Sequence, residues 1–148
     1  MKKGFTLIEL ICCISIIAII SSIALYIPAK KMLQNSKFKI ASNELLLDLK
    51  NAKMRAVDHG WIKVRFDDDG YMIYDVSNYS DMVIKNVKFE NNIMFDRVNS
   101  TVPVDRVIEF TQIGGVSPYP CTAAICDDAG NQALITIKVG SFTIDYKR

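Results

Sequence analysis

Residues Leu10 to Ile27 read LICCISIIAIISSIALYI, with no charge, glycine or proline among them. Eight of the eighteen are isoleucine and two are leucine. At about 1.5 Å per residue the stretch makes a helix of about 27 Å, close to the ~30 Å hydrocarbon core of a bilayer. Its isoleucines and leucines give an insertion free energy of about −5 kcal/mol, from which the serines subtract a part. Serine hydroxyls bond back to the helix backbone, which lowers that cost. The stretch therefore predicts a membrane-spanning helix. A cleaved secretory signal also opens on lysines and an apolar run, but its run is shorter and closes on small residues. Here the run closes on Tyr26-Ile27-Pro28-Ala29-Lys30-Lys31.

The rest of the chain agrees with a membrane-associated, non-catalytic protein. Its 148 residues are a length for one domain with an appended element. Mean hydropathy is +0.17 despite 23% charged residues. A net charge of +2 provides no field for nucleic acid. A single histidine argues against a Ser/His/Asp triad or a histidine metal site. No nucleophile–base or metal constellation appears, so the sequence reads as a non-enzyme without a cofactor.

The apolar run is preceded by Met1-Lys2-Lys3-Gly4-Phe5-Thr6-Leu7-Ile8-Glu9. A carboxylate at the start of an apolar helix costs a few kcal/mol in lipid unless it finds a partner. A short basic leader, Gly4, Phe5, Glu9 five residues after the glycine, and then the apolar helix together resemble the cleavage and methylation motif of type IV prepilins and pseudopilins. The resemblance implies a prepilin peptidase that cuts between Gly4 and Phe5 and N-methylates the new amine. It implies an extracytoplasmic C-terminal domain and a single-pass precursor held by lipid in the bacterial cytoplasmic membrane. An inner-membrane assembly platform and other pilin or pseudopilin subunits become its partners, in a pilus, secretion or competence machine. Glu9 would then pair with the amine of a neighbouring subunit, a buried charge tolerated because assembly supplies its partner.

Removing residues 1–4 takes away Lys2 and Lys3 and leaves sixteen basic against sixteen acidic side chains. The excess charge belongs to the leader, where it holds the N-terminus on the cytoplasmic side. Lys30, Lys31, Lys37 and Lys39 follow the span, so a pure charge count favours the opposite orientation. The family's helix-bending proline maps approximately onto Pro28. The division expected is a leader over 1–4, a span over 5–29 and a globular domain over 30–148.

Within that domain, Phe38, Ala41, Leu45, Leu49, Ala52 and Ala56 recur at three- and four-residue spacing, one apolar helical stripe. Gly60 suits the left-handed position that ends such a helix, and His59 reads as a cation at its C-terminus. Ile62, Val64 and Phe66 alternate with polar neighbours. Asp67-Asp68-Asp69-Gly70 then turns the chain into Tyr71–Val76, a hairpin signal. A calcium loop would need ligands at alternate positions and a distant glutamate. Further strands are expected over 83–89, 93–98, 107–110, 133–139 and 142–146, with a tight turn at Gly140-Ser141. One long helix and then a run of strands gives an α+β fold, the helix lying on a C-terminal antiparallel sheet. This too is similar to pilins. The stretch Phe110 to Gly114 and the final hairpin resemble the minor H-type pseudopilins, although Gly140-Ser141 stands where that group often has Gly-Arg.

Cys121 and Cys126 bracket a six-residue segment. In an extracytoplasmic domain the pair reads as a disulfide, with free thiols as the alternative. A zinc site would need two more ligands. Cys12 and Cys13 read as small packing residues in the span. A competing reading is a DNA-binding minor pilin used in DNA uptake. Lys138, Lys147 and Arg148 would then form a small basic end beside Tyr146, a weak and salt-sensitive phosphate site.

Overall fold

The computed structural model describes residues 6–76 and 81–147, with the side chains of 23–29 outside that description. Among the described residues one helix, α1 (Leu7–His59), is followed by nine strands. These are β1 (Ile62–Asp67), β2 (Gly70–Asp75), β3 (Met82–Lys88), β4 (Met94–Phe95), β5 (Val107–Phe110), β6 (Val116–Ser117), β7 (Cys121–Cys126), β8 (Gln132–Lys138) and β9 (Ser141–Lys147). The fold is α+β. The chain divides into two compact units, Met1–Ser36 and Lys37–Arg148.

In the second unit the expected helix stripe is the buried face. Leu45, Leu49 and Ala56 are fully buried, and Phe38 and Ala52 nearly so. Truncating Leu45 or Leu49 to alanine costs about 2–5 kcal/mol, the transfer term plus the cavity. Ser42 lies in the same face and donates its hydroxyl to the Phe38 carbonyl at 2.7 Å, so its burial leaves no unsatisfied group. Gly60 ends the helix with φ 116° and donates its N–H to the Ala56 carbonyl at 3.0 Å.

The strands form two antiparallel sheets rather than one. The first has the order β3-β2-β1-β5-β6, the second β4-β7-β8-β9. Both turn their apolar side towards one core. Phe66 of β1 stacks on Phe95 of β4 with centroids 5.1 Å apart, and Phe110 of β5 meets Phe142 of β9 at 6.1 Å. Aromatic pairs at these distances add to area burial and join the sheets.

The β1–β2 hairpin turns as the aspartate run predicts. Asp67 pairs with Gly70 across the turn residues Asp68 and Asp69. The turn is held by ion pairs, Asp68 to Arg106 at 2.7 Å and Asp69 to Lys88 at 3.3 Å. Gly70 is required by a close approach, since a Cβ there would lie 2.1 Å from the Val87 carbonyl oxygen. The strand expected over 93–98 shortens to Met94–Phe95 because Asp96 leaves the ladder. Its carboxylate caps the following turn, accepting from the N–H groups of Val98 and Asn99. The last tight turn is Val139-Gly140, one residue earlier than expected, because Lys138 pairs with Ser141.

Candidate assembly site

Thr6 stands immediately before α1 and Glu9 lies in its first turn. The Glu9 carboxylate accepts the backbone N–H of Thr6 at 3.1 Å and its hydroxyl at 3.0 Å. The Thr6 hydroxyl in turn accepts the Glu9 N–H at 3.3 Å. This reciprocal pattern is a capping box, which satisfies two of the donors that every helix N-terminus leaves open. Glu9 therefore has a partner inside its own chain. The Thr-x-x-Glu spacing of Thr6 and Glu9 is the sequence signal for it. The acid also sits at the positive end of the helix dipole, where a carboxylate is stabilised. Gly4 and Phe5, the expected processing residues, lie outside the described residues.

Within the cap and beyond it, Leu7, Ile8, Leu10, Ile11, Ile14, Ile16, Ile17, Ile19 and Ile20 are all exposed within this unit. Ser15 and Ser22 donate to the carbonyls of Ile11 and Ala18, each at 2.8 Å, as serines in an apolar helix are expected to do. Cys12 and Cys13 are exposed. The expected span continues through residues 23–29, whose side chains are outside the description. Among the described residues, no helix is long and apolar enough to cross a membrane.

The expected Cys121–Cys126 bridge does not form. Both cysteines are free. They stand at the two ends of the extended strand β7, paired with Ile137 and Gln132 of β8. Five steps along the strand place their Cα atoms about 16 Å apart, and an odd number of steps puts their side chains on opposite faces. A disulfide needs Cα atoms within about 7 Å. Burial pushes the Cys121 thiol up to about 11. The Cys126 thiol is also raised, by burial first and then by the carboxylates of Asp96 and Asp127.

Among the described residues, Lys138 and Lys147 of the expected basic end are not brought together. Lys138 pairs beside Ser141 at one end of the β8–β9 hairpin, and Lys147 pairs with Gln132 at the other. Six residues of strand place them about 20 Å apart. Arg148 lies outside the described residues. Tyr146 donates its hydroxyl to Asn43 of α1 at 3.0 Å, a tie between strand and helix rather than a ligand contact.

The sequence reading missed a second apolar line on α1. Ile40, Leu47 and Met54 are exposed at 68, 57 and 67%. Their seven-residue spacing puts them on one line, opposite the buried stripe of Phe38, Leu45 and Ala52. The spacing was present in the sequence, but which of the two lines is buried is decided by where the sheets pack on the helix.

Residues 1–25 match the family model of the prokaryotic N-terminal methylation motif, which is consistent with the type IV prepilin and pseudopilin family. The match contains Thr6 and Glu9 of the capping box and the exposed apolar turns that follow. No curated protein and no solved structure matches the chain.

Proposed function

We propose that the chain is the precursor of a minor type IV pilin or pseudopilin, a structural subunit with no catalytic activity of its own. The observation that carries this reading is the methylation motif over residues 1–25, which runs into a helix whose later turns carry an α+β domain. Prepilin peptidase cuts between Gly4 and Phe5 and methylates the new amine. Residues 5–29 hold the subunit in the cytoplasmic membrane as a single pass, and residues 30–148 lie outside. During assembly Glu9 takes the amine of a neighbouring subunit. The line Ile40, Leu47 and Met54 supports the reading, since an aliphatic ridge on an exposed helix face suits packing against other helices.

Lys138 and Lys147, at opposite ends of the β8–β9 hairpin, lend no support to the alternative role in DNA uptake. Mass spectrometry of protein taken from cells that possess the peptidase tests the reading. The expected chain begins at Phe5 and carries one added methyl. A chain that keeps Met1 in such cells would overturn it.

A further inference from the structure

Two hairpin tips from different sheets meet the same stretch of α1. The β5–β6 loop, residues 111–115, is closed by the Thr111 N–H to the Gly115 carbonyl at 3.1 Å and the Gly114 N–H to the Thr111 carbonyl at 2.9 Å. Gly114 lies against the helix, for a Cβ there would be 3.6 Å from Lys53 Cε and 3.9 Å from Val57 Cγ2. The β8–β9 turn reaches the same lysine. Lys53 Nζ donates to the Lys138 carbonyl at 3.4 Å and sits 5.4 Å from the centroid of the Phe142 ring. Lys53 therefore touches both tips.

The apices of these turns carry aliphatic side chains where polar ones are usual. Ile113 is 93% exposed and Val139 is 66% exposed. Val57 of α1, against which Gly114 lies, is also exposed. The positive φ angles of the turns are taken by Gly114 and Gly140, so backbone geometry does not call for an aliphatic residue at either apex. No acidic residue occurs over 111–115, over 138–142 or at helix positions 50, 53, 54 and 57. Lysines stand at 50, 53 and 138. Among the described residues none of these three joins an ion pair.

We propose that this three-element tip is a docking surface for an anionic phospholipid bilayer. Ile113 and Val139 enter the interface, and Lys50, Lys53 and Lys138 meet the headgroup phosphates. The layering decides between occupants. Aliphatic groups stand outermost and the half-buried Lys53 lies behind them, the arrangement of a segment lodged at a lipid–water boundary. A protein partner would need a recess matched to two separate convex apices. A bilayer needs no such match, and its negative surface attracts lysines that no carboxylate of the described residues neutralises. This surface is independent of the assembly role assigned to the N-terminal helix.

The test uses the full chain held in phosphatidylcholine nanodiscs, mixed with vesicles and separated by flotation. Vesicles with about 30% phosphatidylglycerol should carry at least ~10-fold more protein than pure phosphatidylcholine vesicles, and the excess should vanish near ~1 M salt. The double variant Ile113→Asp/Val139→Asp should fall to the neutral-vesicle level. The charge reversal Lys50→Glu/Lys138→Glu should do the same. Val98→Asp/Val104→Asp is the control, because these side chains are 92 and 94% exposed elsewhere, and it should float like the parent protein. Equal losses in tip and control variants, or no preference for the anionic vesicles, would overturn the proposal. Absence of flotation with either vesicle would also overturn it and would make an acidic protein the better occupant.

Discussion

Asp48 of α1 accepts a hydrogen bond from the Tyr71 hydroxyl of β2 at 2.5 Å, inside the domain. The same carboxylate oxygen takes the Lys85 ammonium at 2.6 Å, and Lys85 also reaches Glu44 at 3.1 Å. Helix and sheet are thus pinned by a carboxylate that would otherwise be buried without a partner. Burial first, and then the bond to Asp48, push the Tyr71 hydroxyl far above the usual tyrosine range. The bond to Asp48 raises Lys85 as well, against a smaller opposing effect of burial.

Both shifts have the same consequence for stability against pH. A group whose pKa is raised by folding contributes fully below its unfolded value and loses that contribution as pH rises towards the folded one. Tyr71 and Lys85 both have unfolded values near pH 10. The melting temperature should therefore hold to about pH 9 and fall above about pH 10. Tyr71→Phe should cost about 1–3 kcal/mol at neutral pH, because Asp48 loses a buried donor, and should flatten the alkaline fall. Thermal melts of both proteins across this range measure it. An unchanged alkaline slope in the variant would remove Tyr71 from the account.

The four thiols should all be free in protein purified without reductant. Denatured, non-reduced protein should take four alkyl groups, and reduction should leave its mass unchanged. In the native state Cys121 should react far more slowly than Cys126, being buried and raised to about 11. Peptide mapping after timed alkylation separates the sites. A Cys121–Cys126 linked peptide would show that β7 is not an extended strand.

Two glycine substitutions should differ in size for a geometric reason. Gly70→Ala forces a Cβ to within 2.1 Å of the Val87 carbonyl oxygen on the neighbouring strand. That overpacking should cost about 1–3 kcal/mol or more. Gly130→Ala meets nothing within 4 Å and strains only its φ of +84°. Its cost should be near 1 kcal/mol. Chemical denaturation of the two variants compares them, and equal losses would remove close approach as the cause.

The substitution Glu9→Val distinguishes anchoring from assembly. If Glu9 only caps the helix, its loss costs about 1 kcal/mol at the N-terminus and removes a charge from lipid, so the subunit stays in the membrane and in filaments. If the carboxylate leaves Thr6 for a neighbour's amine, the variant stays in the membrane and disappears from filaments, because that amine has no counter-charge. The expected result is the second. The ratio of subunit in sheared filaments to subunit in membranes reads it directly, and parental incorporation of the variant would sink the assembly role.

By itself the sequence determined the features that depend on neighbours along the chain. The apolar run after Glu9, the stripe from Phe38 to Ala56, the glycine stop at Gly60 and the aspartate turn before Tyr71 are local patterns, fixed by periodicity and backbone geometry. The Thr6–Glu9 cap was equally local and could have been read from its spacing. Tertiary structure decided what pairs across distance. The segment Cys121–Cys126 carries no alternation, because three consecutive residues of the strand, Ala123 to Ile125, are buried on both sides, and two alanines there give little strand preference. Only its place between β4 and β8 shows it as an interior strand and separates its cysteines. The division into two sheets, the Tyr71–Asp48 bond and the meeting of two hairpin tips at Lys53 likewise join residues far apart in sequence. Their geometry follows from how the sheets pack over one core, and no local pattern encodes that packing.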